Sequence, residues 1–195
     1  MKITPVDDKN TLFLIEDILS EETLNKMDEL DLLDVPWRRQ DWQENWERRL
    51  LEPEKLSHLN NVAHEIETHK KEIGDAVGMS FIEINSRFWI DTEGFTVDPH
   101  IDNPGVRIAL QIYLKGCENV GTTFYSLKEE DVIEKEDAQR YHFPWWEGLP
   151  PVRYTFEGKR NTGYIMLNDK TQLHGVPITL GKDTLRLSAY CNCKE

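Results

Sequence analysis

Cysteine is scarce in this chain, long apolar runs are missing, and basic side chains are outnumbered. Three cysteines, Cys117, Cys191 and Cys193, are too few and odd in number for a disulfide framework. The Cys191-x-Cys193 pair has no second cysteine pair to complete a four-ligand metal site, so the thiols are expected to carry no role. No stretch approaches the ~18 consecutive apolar residues of a membrane span. The opening Met1-Lys2-Ile3-Thr4-Pro5-Val6-Asp7-Asp8 turns acidic at once and lacks the apolar stretch of a secretory signal, so the cytoplasm is the expected location. Lys and Arg number 23 against 36 Asp and Glu, giving a net charge of −13. That balance disfavours DNA or RNA as a partner, because phosphate backbones need a basic surface. The short basic runs Trp37-Arg38-Arg39 and Glu47-Arg48-Arg49 have acidic neighbours and read as solvated faces.

What is present suits one globular domain over 1–195, with 38% hydrophobic and 30% charged residues. Thr11 to Ile15 reads as a short buried strand. Ser20 or Asp17 offers a cap, and Leu24, Met27, Leu30 and Leu33 recur at helical spacing, predicting a helix over 21–33. A second helix is predicted over 54–77 from the stripe Leu56, Leu59, Val62, Ala63, Ile66, Ile73 and Val77. Trp37, Trp42 and Trp46 lie between the two helices and read as packing aromatics or as a lid.

From Met79 the pattern shortens to strands. In Val106 to Leu114, Ile108, Leu110, Ile112 and Leu114 share one face, while Arg107, Ala109, Gln111 and Tyr113 share the other. Thr122 to Tyr125, Gly163 to Leu167 and Leu185 to Cys191 read as further strands. An insertion at about 127–151 carries Tyr141-His142-Phe143-Pro144-Trp145-Trp146, and its prolines exclude a continuous helix or central strand. Helices first and strands afterwards predict an α+β domain: mainly helical support over 1–78, then an antiparallel sandwich or barrel over 79–195.

One spacing carries chemistry. In His100-Ile101-Asp102, residues i and i+2 of an extended segment point the same way, so an imidazole and a carboxylate reach one ion. His174 follows 72 residues after Asp102. Two histidines and one carboxylate form the facial triad of non-haem iron(II), which leaves coordination positions open. Taken singly, His100 is equally well a turn histidine with Asp102 as its partner. Arg186-x-Ser188 adds a second signal. On a strand, the guanidinium and hydroxyl share one face and suit a carboxylate; the competing reading is a structural salt bridge with an internal acid.

These residues resemble the iron(II)/2-oxoglutarate oxygenases, in particular the prolyl-hydroxylase-like branch. The likeness extends through Phe13 to Ser20, Arg107 to Leu114, Gly121 to Phe124, Gly163 to Leu167 and His174-Gly175-Val176. It implies a double-stranded β-helix, a jelly-roll or cupin-like barrel with N-terminal supporting helices. It implies iron(II) on His100, Asp102 and His174, with 2-oxoglutarate and dioxygen as co-substrates. Arg186 corresponds to the residue that anchors the distal carboxylate of 2-oxoglutarate, helped by Tyr113 and Ser188. Arg186 stands 12 residues beyond His174, about two more than is common in the family, which keeps Lys182 as the alternative anchor.

The implied reaction hydroxylates an unactivated C–H bond and releases succinate and carbon dioxide. The expected substrate is a peptidyl proline, another peptide side chain or a free amino acid. Tyr141, His142, Trp145 and Trp146 are expected to line the entrance or else to plug the sheet edge. The competing function is a metal-binding barrel that senses or scaffolds without turnover.

Overall fold

The computed structural model describes residues 1–31, 38–39, 48–51, 57–116, 118–135 and 140–194. The first part runs β1 (Lys2–Pro5), β2 (Leu12–Glu16), α1 (Glu21–Asp28), β3 (Arg38–Arg39), β4 (Arg48–Leu51), α2 (Ser57–Thr68) and α3 (Lys70–Val77). Then follow β5 (Glu83–Asp91), β6 (Val97–His100), β7 (Ile108–Lys115), β8 (Thr123–Tyr125), β9 (Ile133–Lys135) and β10 (Arg140–His142). The chain closes with β11 (Val152–Thr155), β12 (Thr162–Leu167), β13 (His174–Val176) and β14 (Arg186–Lys194).

Two antiparallel sheets form the barrel. The major sheet has the order β1-β2-β12-β7-β14-β5-β4-β3, and the minor sheet the order β11-β8-β13-β6. The alternation in β7 decides which face looks where. Ile108, Leu110, Ile112 and Leu114 turn outward and pack with Phe88, Leu187 and Ala189 against Leu59, Val62, Ile66 and Ile73 of the helices. Ala109 and Tyr113 turn inward with Tyr164 and Met166, meeting Phe124 and Phe156. One face of the sheet is therefore sealed by helices, and the other faces the barrel interior, where polar side chains can meet a ligand.

The helices have local causes. Ser20 caps α1 by accepting from Thr23 N at 3.3 Å, and Glu21 and Glu22 occupy the first turn, where carboxylates suit the helix dipole. The predicted helix over 21–33 ends at Asp28, in a turn where Leu30 N bonds Met27 O at 3.2 Å. The predicted helix over 54–77 is two helices. Thr68 Oγ1 takes the Glu65 carbonyl at 2.6 Å, and His69, with φ −86° and ψ 2°, bonds back three residues to Ile66 O. Gly78, at φ 71°, ends α3 in the left-handed conformation.

Residues 1–78 hold more than the expected helical support: β1, β2 and β4 extend the major sheet on both sides. The strand expected over Thr11 to Ile15 is β2, whereas the alternation of β1 and β4 is too short to separate from loop. The expectations for Trp37, Trp42 and Trp46 and for Cys117 lie outside the described residues. No helix among the described residues is long and apolar enough to cross a membrane.

Candidate metal and co-substrate site

Register brings the two histidines together. His174 on β13 is directly opposite His100 on β6, and their ring centroids are 4.5 Å apart. Gly175 permits this pairing, because a Cβ there would lie 2.7 Å from Val97 O and 3.0 Å from Pro99 N. Asp102, two residues beyond His100, brings Oδ1 to 3.5 Å from His100 Nε2 and 3.9 Å from His174 Nε2. The three donor atoms lie within 4.8 Å of one another.

Both rings are oriented by backbone. His100 Nδ1 lies 2.9 Å from Asp98 O, and His174 Nδ1 lies 2.9 Å from Gln172 O. A carbonyl only accepts, so each Nδ1 carries the proton and each Nε2 turns a lone pair toward Asp102. This donor set, with the tautomers fixed from behind, fits a divalent metal.

A supporting shell holds His174. Phe124, its partner across β8, stacks on the ring at 5.2 Å and 20°. The buried Gln172 is gripped by Arg153 at 2.5 Å and reaches Thr11 Oγ1 at 2.9 Å, which fixes the carbonyl that orients His174. Burial, then His100, holds the His174 pKa down to about 4, so the ring is neutral near pH 7. Burial alone would raise Asp102, but the two histidines outweigh it and leave the carboxyl below its ordinary value. His174 and Asp102 are therefore in ligand form near pH 7 without displacing a proton.

The same cavity, about 870 Å³, contains Arg186 in its wall. Ser188 is fully buried, and its Oγ has no hydrogen-bond partner among the described residues. It stands opposite Tyr113, whose ring lies 5.5 Å from the Arg186 guanidinium. Tyr113 Oη donates to Thr122 Oγ1 at 2.9 Å and accepts from Thr122 N at 3.0 Å. An orphaned buried hydroxyl beside a buried guanidinium fits a carboxylate. Lys182, the alternative anchor, is exposed in the turn between Gly181 and Thr184 and is not in the cavity wall.

The internal acid is also there. Arg186 Nε lies 3.5 Å from Asp91 Oδ2, and Asp91 is its directly opposed residue on β5. Arg48 grips the same carboxylate through Nε at 2.5 Å and Nη2 at 3.1 Å. Two guanidiniums thus share one buried carboxylate. Neither Asp91 nor Arg48 was legible as a site residue, because only the register of β4, β5 and β14 aligns them. Of the insertion, Tyr141, His142, Phe143 and Trp145 line the cavity, whereas Trp146 is exposed.

No family model matches the chain, and no curated protein sequence matches it. Solved structures do. A prolyl-4-hydroxylase from Pseudomonas putida superposes with a TM-score of 0.61 at 11% identity, covering 98% of this chain and 97% of that one. The chain has the double-stranded β-helix fold of the 2-oxoglutarate oxygenases. A prolyl hydroxylase from Trichoplax adhaerens, in complex with a hypoxia inducible factor peptide fragment, shares this oxygenase fold with a TM-score of 0.62 at 10% identity, covering 98% and 87% of the two chains. HygX from Streptomyces hygroscopicus, with nickel, 2-oxoglutarate and hygromycin B bound, does so with a TM-score of 0.56 at 11% identity, covering 94% and 83%. The α+β jelly-roll expectation is borne out.

Proposed function

We propose that this chain is an iron(II)- and 2-oxoglutarate-dependent dioxygenase that hydroxylates an unactivated C–H bond of a peptide side chain, peptidyl proline included, or of a free amino acid. One observation carries the reading: a His–Asp–His donor set shares a cavity with a buried arginine, and an orphaned buried serine hydroxyl stands two residues along the arginine's own strand. A bare metal-binding barrel has no use for the second half of that arrangement.

His100, Asp102 and His174 hold the iron. Arg186 and Ser188 receive the distal carboxylate of 2-oxoglutarate, and Tyr113 lies under the guanidinium and fixes its plane. When bound, iron(II) and 2-oxoglutarate supply the oxidising chemistry: dioxygen is consumed, succinate and carbon dioxide leave, and a hydroxyl is delivered to the substrate. The protein orients and encloses. The two guanidiniums of the Arg48–Asp91–Arg186 cluster favour a dianionic co-substrate at that end of the cavity. Tyr141, Phe143 and Trp145 give the substrate an aromatic wall. Cavities of this size accommodate a co-substrate together with a small molecule or the side chain of a peptide. The reading treats the described parts of 1–195 as one working unit, since β1, β2 and β4 belong to the sheet that carries Arg186.

Anaerobic addition of iron(II) and 2-oxoglutarate gives a visible charge-transfer band, and admission of air yields succinate. His174→Ala abolishes both. A wild-type protein with neither band nor succinate rules the reading out.

A further inference from the structure

One rung of the cavity has no part in holding the metal or 2-oxoglutarate. On β14, Tyr190 stands opposite Arg87 of β5 on one side and opposite Gln111 of β7 on the other. All three line the cavity that holds His100, Asp102 and His174. The rung lies four residues along β14 from Arg186, about 13 Å at the usual strand rise. The backbone of 2-oxoglutarate spans only about 5 Å from C1 to C5 on ordinary bond lengths. A group held at this rung therefore belongs to a second molecule, on the side of the cavity away from Arg186.

The rung offers three donors: an exposed guanidinium, a phenol and a buried amide that has no partner among the described residues. Gln111 is 5% exposed, and its Nε2 has no hydrogen-bond partner among the described residues. A buried amide donor left in that state costs free energy that a ligand's acceptor atom would offset. No hydrogen bond or ion pair engages the Arg87 guanidinium among the described residues, although the chain carries 36 acidic side chains. Burial, the largest cause, raises the Tyr190 phenol, so it stays protonated and adds an O–H beside the other two. A single guanidinium flanked by an amide and a phenol matches one negative charge spread over two oxygens. That is a carboxylate.

We propose that the Arg87–Tyr190–Gln111 rung receives a carboxylate of the primary substrate, so that the molecule hydroxylated is an amino-acid-sized acid. The inference rests on the oxygenase reading and names the substrate class for that site.

The test uses the full chain loaded with zinc(II), which is inert to turnover, and 2-oxoglutarate. The probes are the free L-amino acids, their N-acetyl derivatives and the carboxamide of each, with glycerol phosphate as the phosphate probe. Calorimetry and thermal shift read binding. At least one acid binds, and its carboxamide binds about tenfold or more weakly, the loss expected for one charge-assisted hydrogen bond. Whether the free or the acetylated acid is preferred tells an amino acid from a chain terminus. Arg87→Met erases the preference for acid over amide; its response to 2-oxoglutarate alone reports that the variant is folded and loaded. Gln111→Leu raises the melting temperature of the unliganded protein, because a buried unmet donor is gone, yet weakens the acid. A merely structural glutamine would not give that opposition.

Equal binding of acid and carboxamide overturns the proposal. So does a panel in which no acid binds, a preference for the phosphate probe, or an acid preference that survives Arg87→Met. If 2-oxoglutarate itself fails to stabilise the zinc-loaded wild type, the oxygenase reading falls first. If it stabilises and only the acid arm fails, the rung alone is refuted.

Discussion

Asp91→Asn keeps the shape of the side chain and removes the negative charge that Arg48 and Arg186 share. The Asp91 side chain is 0% exposed, that of Arg186 2% and that of Arg48 13%, so water cannot take over for the lost carboxylate. An asparagine accepts through one oxygen only and turns an N–H toward the other guanidinium. Removing one partner of a buried ion pair costs about 3–5 kcal/mol, because the remaining charge is stranded. Here two guanidiniums lose the same carboxylate at once, which puts the loss at the upper end of that range. For a chain of this size the melting temperature falls by on the order of 10 °C.

Urea denaturation of the metal-free protein measures the loss, and repeating it with rising 2-oxoglutarate and zinc(II) measures its repair. A dianion bound at Arg186 compensates the stranded charge, so the variant gains more from 2-oxoglutarate than the wild type does. The double variant Arg48→Met/Asp91→Asn removes one cation together with the carboxylate and recovers part of the stability. A loss below about 1 kcal/mol, the value of an exposed pair, would refute the electrostatic account of this end of the cavity. Equal stabilisation of variant and wild type by 2-oxoglutarate would separate Arg186 from the co-substrate.

Three other perturbations probe independent parts of the structure. Lys182→Ala leaves the 2-oxoglutarate requirement within about twofold, as for an exposed side chain, whereas Arg186→Met raises it about a hundredfold, the value of a buried charge-assisted contact; succinate release titrated with 2-oxoglutarate decides between them, and the reverse order would make Lys182 the anchor. In the metal-free protein His174 titrates at about 4 against its ordinary 6.5. The unfolded chain therefore binds the proton more readily. Stability is complete above about pH 6.5 and falls as pH drops toward 4, by about 3 kcal/mol at most. A urea midpoint that does not move between pH 7 and pH 5 contradicts this. Burial pushes the Cys191 and Cys193 thiols up to about 12, against 9 for a free thiol, so their thiolate fraction at pH 8 is about a thousandfold lower than in the unfolded chain. Peptide mapping after iodoacetamide treatment finds them unmodified in the native protein, and labelling at the denatured rate would show the C-terminal end of β14 to be open.

Much of the site was legible before any coordinates. His100 and Asp102 are separated by one residue, and strand geometry alone turns both side chains the same way. Arg186 and Ser188 obey the same rule, as does the inward set Ala109, Gln111 and Tyr113 of β7. The alternation that distinguishes the helix-covered face of the major sheet from its cavity face is written in β7 and β14 and is what the structure shows.

Other features depended on which strands pair and in what register. The sequence could leave Arg186 suspended between a carboxylate ligand and an internal acid. In the structure Asp91 sits opposite it and Arg48 approaches from β4, so the arginine belongs to a buried charge cluster. Nothing in the local pattern around Arg48 marks it, because Glu47-Arg48-Arg49 reads as any solvated run. The Gln172 carbonyl that sets the His174 tautomer, and the Arg153 that holds Gln172, are likewise joined only by folding.

By itself, then, the sequence determined the donor types, which are residue identities, and the inward faces, which follow from a period of two along a single strand. The barrel class came from the order of the elements and the family resemblance. Tertiary structure decided what stands across from each inward residue: His174 against His100, Arg186 against Asp91, Tyr190 between Arg87 and Gln111. Pairing joins residues tens to more than a hundred positions apart, and a shift of one residue in register would have turned every one of those side chains to the other face.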